Sequence, residues 1–277
     1  MVKSILIGLD ESPYSESAVT LAVDWAKRFD CLLVGLGVVD EPSIRGSEPR
    51  ERIAPSYRAA YNSMVAEASH RVDTILERFS LRCVEAGVSS KLLEDVGSPC
   101  EQIMTEAQRY DLIAIGQKSY FQFETSPREC DTVDKLLHLT PRPVVVVPKE
   151  HREGTGVLIA YDGSLQSARA LQAFTASGLA TLGEVNLLTI HPKSNVEASK
   201  IADRAVEYLR FHDVAATPHA LASAGCASDE ILEVAGRLGV ELIVMGSYGR
   251  NLLLEFFLGS VTRNVLKKAD VPIFLYH

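Results

Sequence analysis

The chain has 277 residues, and its 28 lysines and arginines against 36 aspartates and glutamates give a formal net charge of −8. Apolar residues make up 47% and charged residues 23%, which excludes the disordered class and predicts a globular protein of about two domains. The acidic balance argues against nucleic acid as the main partner, because phosphate backbones are bound by clustered Lys and Arg. No apolar run approaches the roughly 18 residues of a membrane helix, so no membrane partner is expected.

The first residues of the sequence and the pattern of its cysteines indicate the cellular compartment. Residues 1–12 read MVKSILIGLDES, a short apolar run without a cleavage site, which predicts a first strand and not a signal peptide. The five cysteines are odd in number and show no C-x-x-C spacing, so we expect neither a disulfide framework nor a structural zinc site. A reducing, cytoplasmic environment fits these features.

The two halves of the chain resemble each other. ILIGLDESPYSESA (residues 5–18) aligns with VLIAYDGSLQSARA (157–170) at an offset of 152. Further along, DLIAIG (111–116) aligns with ELIVMG (241–246) at an offset of 130. The first copy therefore carries surplus residues, and internal repetition of this kind predicts a duplicated domain.

The repeat defines the predicted domains. The surplus of the first copy is assigned to residues 41–56, a stretch rich in Pro, Arg and Ser that we predict to be a loop. The junction is assigned to the polar, Gly-containing linker at 149–156. We predict two domains, residues 1–150 and 151–277.

Each copy has the pattern β-α-β-α-β-α-β-α-β. In the second copy, short apolar runs predict strands, and apolar residues at helical spacing predict helices. The predicted strands are 157–161, 185–190, 213–221, 241–246 and 271–276, and the predicted helices are 167–180, 198–212, 228–239 and 260–269. Gly178 is a helix stop, and Pro218 places its strand at a sheet edge. The first copy follows the same order, with a long helix at 60–79.

Buried apolar strands that alternate with amphipathic helices predict a parallel sheet covered on both faces. In such sheets, ligands bind beyond the carboxyl ends of the strands, where the strand order reverses. This rule directs attention to the loops after Ile7 and Ile159, and to those after Ile115 and Met245.

The second copy carries a glycine pattern suited to phosphate binding. Its last-but-one strand is followed by G-x2-G-x9-G-S, formed by Gly246, Gly249, Gly259 and Ser260. Gly246 leaves space for a ligand at the strand end, and Gly249 permits a positive φ that lets backbone amides surround an anion. Gly259 and Ser260 begin a helix whose N-terminal amides and dipole favour negative charge.

Side chains near these glycines extend the interpretation. The hydroxyls of Ser260 and Thr262 can hydrogen-bond phosphate oxygens, although Ser260 could instead only cap the helix, and Arg250 can add a mobile positive charge. The apolar residues at 252–258 are expected to pack against the sheet or a partner domain. A competing interpretation is that the glycines form only a turn and a helix cap.

The strand–helix order, the aspartate after the first strand and the G-x2-G-x9-G-S pattern resemble the universal stress protein family over nearly the whole chain. The resemblance implies an α/β fold of two tandem Rossmann-like (adenine nucleotide alpha hydrolase-like) domains, each a five-stranded parallel sheet of order 3-2-1-4-5 with helices on both faces. It also implies ATP, with Mg²⁺ held on the phosphates by few or no protein ligands. The implied nucleotide-binding residues are Ala160, Tyr161, Asp162, Ile190 and Gly246 for adenine and ribose, and Gly249, Arg250, Gly259, Ser260, Val261 and Thr262 for the phosphates.

The first copy departs from this pattern. Gly116 is retained, but Ser119, Glu129 and Cys130 stand where the second copy has Gly249, Gly259 and Ser260. A carboxylate facing a polyphosphate repels it, so we expect no ATP in the first domain through this loop. Its Asp10 is either a packing partner or part of a pocket that is vestigial or takes another ligand.

Several side chains have alternative interpretations. Asp162 either contacts a ligand or hydrogen-bonds the turn that follows it. Ser15 and Ser164 are expected to cap helices, and His191 to mark a strand end. Cys226 opens a helix whose dipole can lower the thiol pKa, although an inert thiol is the favoured interpretation.

The apolar last strands, 144–148 and 272–277, would leave edges open to pairing. The family resemblance implies that last strands pair between domains, so one active and one silent domain would form a permanent pair within one chain, with a homodimer as a further expectation.

Three functions follow from these features. The first is an ATP-binding stress-response protein with nucleotide in the second domain, an unknown protein partner and, at most, weak ATPase activity, because no base that would position a water is evident. The second is an ATP-hydrolysing or adenylate-transferring enzyme that uses Asp162 or Arg250. The third is an interaction scaffold without a ligand.

Overall fold

The computed structural model describes residues 1–46, 55–119, 121, 132–247 and 259–277. The chain forms two compact units, one of Lys3–Pro141 and one of Arg142–His277 together with Met1–Val2. The division falls before the predicted linker at 149–156. Within the described residues, no helix has the length and apolar character needed to cross a membrane.

The N-terminal unit is an α/β layer structure whose described strands are parallel, in the order β3-β2-β1-β4. Its elements are β1 (Ser4–Leu9), α1 (Pro13–Phe29), β2 (Leu32–Val39), α2 (Glu41–Arg45), α3 (Pro55–Ala86), β3 (Ser90–Val96), α4 (Pro99–Ala107), β4 (Leu112–Gly116) and α5 (Thr132–Leu139).

The C-terminal unit has the strand order β5-β10-β9-β6-β7-β8. Its elements are β5 (Val144–Val147), β6 (Val157–Ala160), α6 (Leu165–Ser177), a 3-10 helix (Leu179–Leu182), β7 (Val185–His191), α7 (Asn195–Phe211), β8 (Ala216–Ala222), α8 (Ala227–Leu238), β9 (Leu242–Gly246), α9 (Ser260–Lys268) and β10 (Ile273–Tyr276). The strands of the second repeat are parallel to one another and follow the predicted order 3-2-1-4-5.

The fifth strand of the first repeat, β5, pairs with the last strand of the second repeat. By its contacts, β5 groups with the C-terminal unit, where it pairs antiparallel with β10 through Ile273 beside Val146 and Leu275 beside Val144. All four valines of β5 are buried. The pairing covers the edge that β10 would otherwise expose, and it is the expected pairing of the two last strands.

Burial follows the position of each strand. The central strands β1, β2, β6 and β9 are buried almost throughout, as expected for a sheet covered on both faces. The edge strands β3 and β8 are mostly half-buried or exposed. Pro218 lies in β8, at the edge that the sequence predicts for it.

Helix boundaries agree with the sequence prediction where capping signals are strong. Gly178 ends α6 in the left-handed region with φ of 78°, as predicted. Ser164 caps α6, but the cap of α1 is Ser12 and not Ser15, because the Ser12 hydroxyl accepts a hydrogen bond from the Ser15 amide at 3.1 Å. The Ser15 hydroxyl instead accepts from the amide of Asp10 at 3.1 Å.

The surplus of the first repeat is not entirely a loop. Residues 41–45 form α2, which Asp40 caps by accepting hydrogen bonds from the Ser43 amide and hydroxyl at 3.1 and 2.6 Å. The long helix α3 begins at Pro55 and ends at Ala86, beyond the predicted 60–79 at both ends. The Tyr61 hydroxyl of α3 donates to Glu41 at 2.6 Å, which ties the two helices together.

Candidate functional site

The candidate site lies at the carboxyl ends of three central strands of the C-terminal unit. Ala160, the last residue of β6, lies beside Leu188 of β7 and Met245 of β9 in the register of the sheet. Helices α6, α8 and α9 begin near these strand ends. The location is the one that the strand-order rule predicts for a ligand.

The turn after β6 is built by local hydrogen bonds. Asp162 accepts from the Ser164 amide at 2.9 Å, and the Ser164 hydroxyl accepts from the Ser167 amide at 3.2 Å. Asp162 therefore stabilises the turn, which is one of the two roles that the sequence predicts for it. Asp162 also lines the cavity described below. The first repeat has the same turn, in which Asp10 accepts from the Ser12 amide at 2.9 Å.

Gly246 ends β9 where the start of α6 approaches closely. A Cβ on Gly246 would lie 2.8 Å from the carbonyl carbon of Gln166 and 2.9 Å from the amide nitrogen of Ser167. The predicted reason for this glycine was the approach of a ligand, and the contact that the structure shows is with the helix backbone. The first repeat repeats the feature, because a Cβ on Gly116 would lie 2.6 Å from the carbonyl carbon of Tyr14.

Helix α9 begins with a glycine at its N-cap. Gly259 has no side chain that could cap the helix, so the first-turn amides of α9 are left for another acceptor. Thr262 in that turn is buried, and its hydroxyl donates to the Gly246 carbonyl at 3.2 Å. The proton of this hydroxyl is therefore used to join α9 to β9 and is not available to a ligand.

These features enclose a cavity of about 330 Å³. Of the residues implied by the sequence, those that line it are Ala160, Tyr161, Asp162, Ile190, Gly246, Gly259, Ser260, Val261 and Thr262. Gly249 and Arg250 lie outside the described residues, as do the apolar stretch at 252–258 and, in the first repeat, Glu129 and Cys130.

The sequence interpretation missed about half of the lining. The additional residues are Ser164, Ser167, Leu188, His191, Pro192, Ile201, Ala227, Ile231 and Met245. Leu188 and Met245 could have been found from strand register, since they lie beside Ala160. Ile201 and Ile231 come from α7 and α8, and no local pattern marks them because their place depends on how each helix packs on the sheet.

Tyr161 and His191 are two of the polar residues that line the cavity. Burial and the neighbouring Asp162 carboxylate raise the pKa of the Tyr161 phenol, which is therefore neutral at pH 7. Nδ1 of His191 accepts hydrogen bonds from the amides of Ser194 and Lys193 at 3.1 and 3.3 Å. His191 ends β7, as expected, and also organises the chain before α7.

Cys226, next to the cavity residue Ala227, is the N-cap of α8 and is exposed. A hydrogen bond with the Ser228 hydroxyl, at 3.0 Å, is the main cause of a lowered Cys226 pKa. The helix position alone was the predicted cause. Within the parts of the chain that the structure describes, no group of three His, Cys, Asp or Glu residues is arranged to hold a metal ion.

The model of the Universal stress protein family matches the chain twice, over residues 1–148 and 155–277. The chain belongs to the universal stress protein family. Each repeat is thus one family domain, and the tandem arrangement inferred from the repeat is shown.

Three universal stress proteins are similar to this chain in sequence or in structure. Universal stress protein Rv1996 of Mycobacterium tuberculosis is 23% identical over 97% of this chain and 93% of its own. Slr1230 of Synechocystis is 23% identical over 60% of this chain, which spans only 58% of that relative. A crystal structure of a universal stress protein from Archaeoglobus fulgidus has a TM-score of 0.71 at 19% identity, over 99% of this chain and 97% of its own, and shows the fold.

Some universal stress proteins bind adenine nucleotides. A solved structure from Archaeoglobus fulgidus is a complex with dAMP, at 21% identity and a TM-score of 0.37 over 44% of this chain and 98% of its own. Another universal stress protein was solved in complex with cAMP, at 22% identity and a TM-score of 0.38 over 46% of this chain and 98% of its own.

Proposed function

We propose that this universal stress protein binds ATP in its C-terminal domain, residues 151–277, and acts in stress response. The observation that carries the proposal is that every described residue of the predicted nucleotide set lines the same cavity. Its volume of about 330 Å³ falls in the range of small-molecule sites. That other family members bind adenine nucleotides supports the same ligand class.

The cavity offers an apolar region for a nucleobase. Ala160, Leu188, Ile190, Ile231 and Met245 present aliphatic surface at the strand ends. Such a surface suits the faces of an adenine ring, while the Asp162 carboxylate is the natural acceptor for ribose hydroxyls.

The beginning of α9 offers a site for the phosphates. The first-turn amides after Gly259 and the positive end of the helix dipole favour an anion. Gly249 and Arg250 remain predicted contacts. Among the described lining residues, Asp162 is the one carboxylate, so a Mg²⁺ ion would be held mainly by phosphate oxygens and water.

In this proposal the N-terminal domain, residues 1–150, is silent towards ATP or takes another ligand. A cytoplasmic location, pairing in a homodimer and a protein partner that responds to the nucleotide remain part of the proposal. Nucleotide would act by favouring one conformation of a surface that the partner binds.

The enzyme and scaffold alternatives differ from this proposal in what they predict. A steady-state turnover above about 1 s⁻¹ with MgATP would favour an enzyme, since this is the lower range of ordinary kcat values. A purified sample without nucleotide that shows no thermal shift with MgATP would favour a scaffold without a ligand.

The direct test is the substitution Gly259→Glu, which copies the residue of the first repeat. A carboxylate at the start of α9 faces the phosphates and reverses the favourable charge, so we expect ATP affinity in calorimetric titrations to fall at least about 100-fold, or ~2.7 kcal/mol. Gly236→Glu is the matched control, because it adds the same charge at an exposed position of α8 where a Cβ meets nothing within 4 Å. Unchanged affinity in G259E, or an equal loss in both variants, would contradict the phosphate assignment.

A further inference from the structure

Phe121 is a buried aromatic residue in a part of the N-terminal unit where the second repeat has its glycine loop. Its side chain is 1% exposed, as is that of Ser119 two residues earlier. The Ser119 amide donates to the carbonyl of Gly116, the last residue of β4, at 3.3 Å. The chain therefore turns back directly after β4 and directs Phe121 towards the carboxyl ends of the strands.

The Phe121 ring reaches the end of β1. Its Cζ lies 3.1 Å from the position that a Cβ would take on Gly8. The Cδ1 atoms of Ile103 and Ile115 lie 3.5 and 3.8 Å from the same position. A ring tip and two aliphatic side chains thus meet at Gly8, and the lack of a Cβ there gives the ring room.

Two of these positions have direct equivalents in the C-terminal cavity. Gly8 aligns with Ala160, each lying two residues before the aspartate of the turn. Ile115 aligns with Met245, each lying one residue before the glycine that ends its strand. Ala160 and Met245 both line the cavity of the C-terminal unit.

The third position also has an equivalent there. Ile103 is the fifth residue after Ser98, the N-cap of α4, and Ile231 is the fifth residue after Cys226, the N-cap of α8. Ile231 lines the cavity. The three residues around the Phe121 ring tip therefore correspond to three residues around open space in the other repeat.

We propose that Phe121 fills the ligand site of the N-terminal unit from within the chain. The site is an apolar space, at the end of β1 between β4 and α4, that would take a planar heterocycle such as a purine base once the phenyl ring is removed. The equivalence between the repeats is geometric, so the proposal holds whether or not the C-terminal cavity binds ATP. It also gives a second reason why this domain would not bind ATP, and this reason is independent of Glu129 in its loop.

The test uses the full chain labelled at isoleucine δ1 methyl groups and observed by NMR during titration with adenine. Ile103 and Ile115 report on the N-terminal site, whereas Ile201 and Ile231 report on the C-terminal cavity. In wild-type protein we expect adenine to leave the Ile103 and Ile115 signals in place. In the Phe121→Ala variant we expect both to lose the ring-current shift of the phenyl group and then to move with adenine in a saturable way.

The control is Phe79→Ala, which removes another buried phenylalanine of the same unit. Phe79 packs against Gly35, which lies beside Ile7 in the sheet and so faces away from Gly8. We expect no movement of the Ile103 and Ile115 signals with adenine in this variant. If F121A does not fold, Phe121→Val is titrated in its place.

The outcomes separate this proposal from the proposed ATP function. Signals of Ile103 and Ile115 that do not respond to adenine in a folded variant would overturn the proposal. The failure of both Phe121 variants to fold would also overturn it, because that result would show that the N-terminal unit needs the ring as part of its core. Signals of Ile201 and Ile231 that do not respond to ATP in wild-type protein would count against the C-terminal site alone.

Discussion

Two glycines in equivalent positions, Gly246 and Gly116, are needed for packing, although the sequence motif explains the first of them by ligand binding. Gly246 belongs to the phosphate pattern and Gly116 to a repeat that lacks it, yet each leaves room for the backbone of a helix start, at Gln166 and at Tyr14. The first glycine of the pattern is therefore explained by packing in both units. In the proposed function, specificity for phosphate would therefore depend on the residues that differ between the repeats, above all Gly259.

This explanation predicts the effect of Gly246→Ala on stability. A Cβ placed 2.8 Å from the Gln166 carbonyl carbon must displace the start of α6, and overpacking of this kind costs about 1–3 kcal/mol. Gly236→Ala is the control, because the same change at an exposed helix position stabilises by about 0.5–1 kcal/mol. Urea unfolding of both variants measures the difference. A G246A variant as stable as the wild type would show that the close approach is not a constraint.

Single side chains also mark the limit of the sequence interpretation. The aspartate turn and the glycine at the start of α9 were identifiable from spacing, because both act within a few residues of chain. The hydrogen bond from Thr262 to Gly246 joins residues 16 apart, and the burial of Phe121 depends on strands and a helix far away in sequence. Neither leaves a local pattern.

At the scale of elements, the strands and helices of the second repeat follow from apolar periodicity and capping residues. The sequence missed the short helix α2 and the full length of α3. Asp40 caps α2 through its side chain, and Tyr61 of α3 donates to Glu41 of α2, so α2 is held by contacts that sequence periodicity does not show. By its contacts β5 groups with the C-terminal unit, although it lies on the first repeat's side of the predicted junction.

The edge strand β8 carries a titratable contact with β7. His219 Nε2 lies 2.8 Å from Oδ1 of Asn186, and burial, followed by the charge of Arg237, lowers the pKa of His219. With its folded-state pKa below the unfolded value of about 6.5, the unfolded chain binds the proton more readily. The folded state therefore loses stability through this group as the pH falls below about 6.5.

We accordingly expect His219→Gln to reduce the loss of stability on acidification. The glutamine keeps a polar side chain beside Asn186 but does not titrate. Chemical denaturation of wild type and variant at pH 7.5 and pH 5.5 gives the comparison, and carboxylates common to both proteins cancel in the difference. Parallel pH profiles would mean that His219 is protonated equally in the folded and unfolded states.

At the scale of the whole molecule, the two repeats share a fold and differ in what occupies the carboxyl ends of their strands. In the C-terminal unit that region is an open cavity, and in the N-terminal unit Phe121 reaches into the equivalent place. The family and the duplication could be derived from sequence, because a repeated pattern of many residues is robust. The contrast between open and filled sites could not, because it depends on one side chain.

Hydrogen exchange should report this asymmetry when MgATP is added. At a concentration 100-fold above Kd, ligand stabilises the state that binds it by about 2.7 kcal/mol. We expect slower exchange at the ends of β6, β7 and β9 and at the start of α9, and unchanged exchange across β1–β4. The G259E variant should lose the effect. Protection confined to the N-terminal unit would reverse the assignment of the two domains.

Because of β5, the repeated sequence unit and the compact folded unit do not cover the same residues. Recombination at the linker 149–156 would transfer the second repeat without Val144, Val145 and Val146, which pair with β10, and would leave the backbone amides and carbonyls along that side of β10 without these partners. The second repeat therefore depends, at this edge, on a strand that the first repeat supplies, and an exchange of halves between related tandem proteins would succeed only where the crossover keeps that strand with the second repeat.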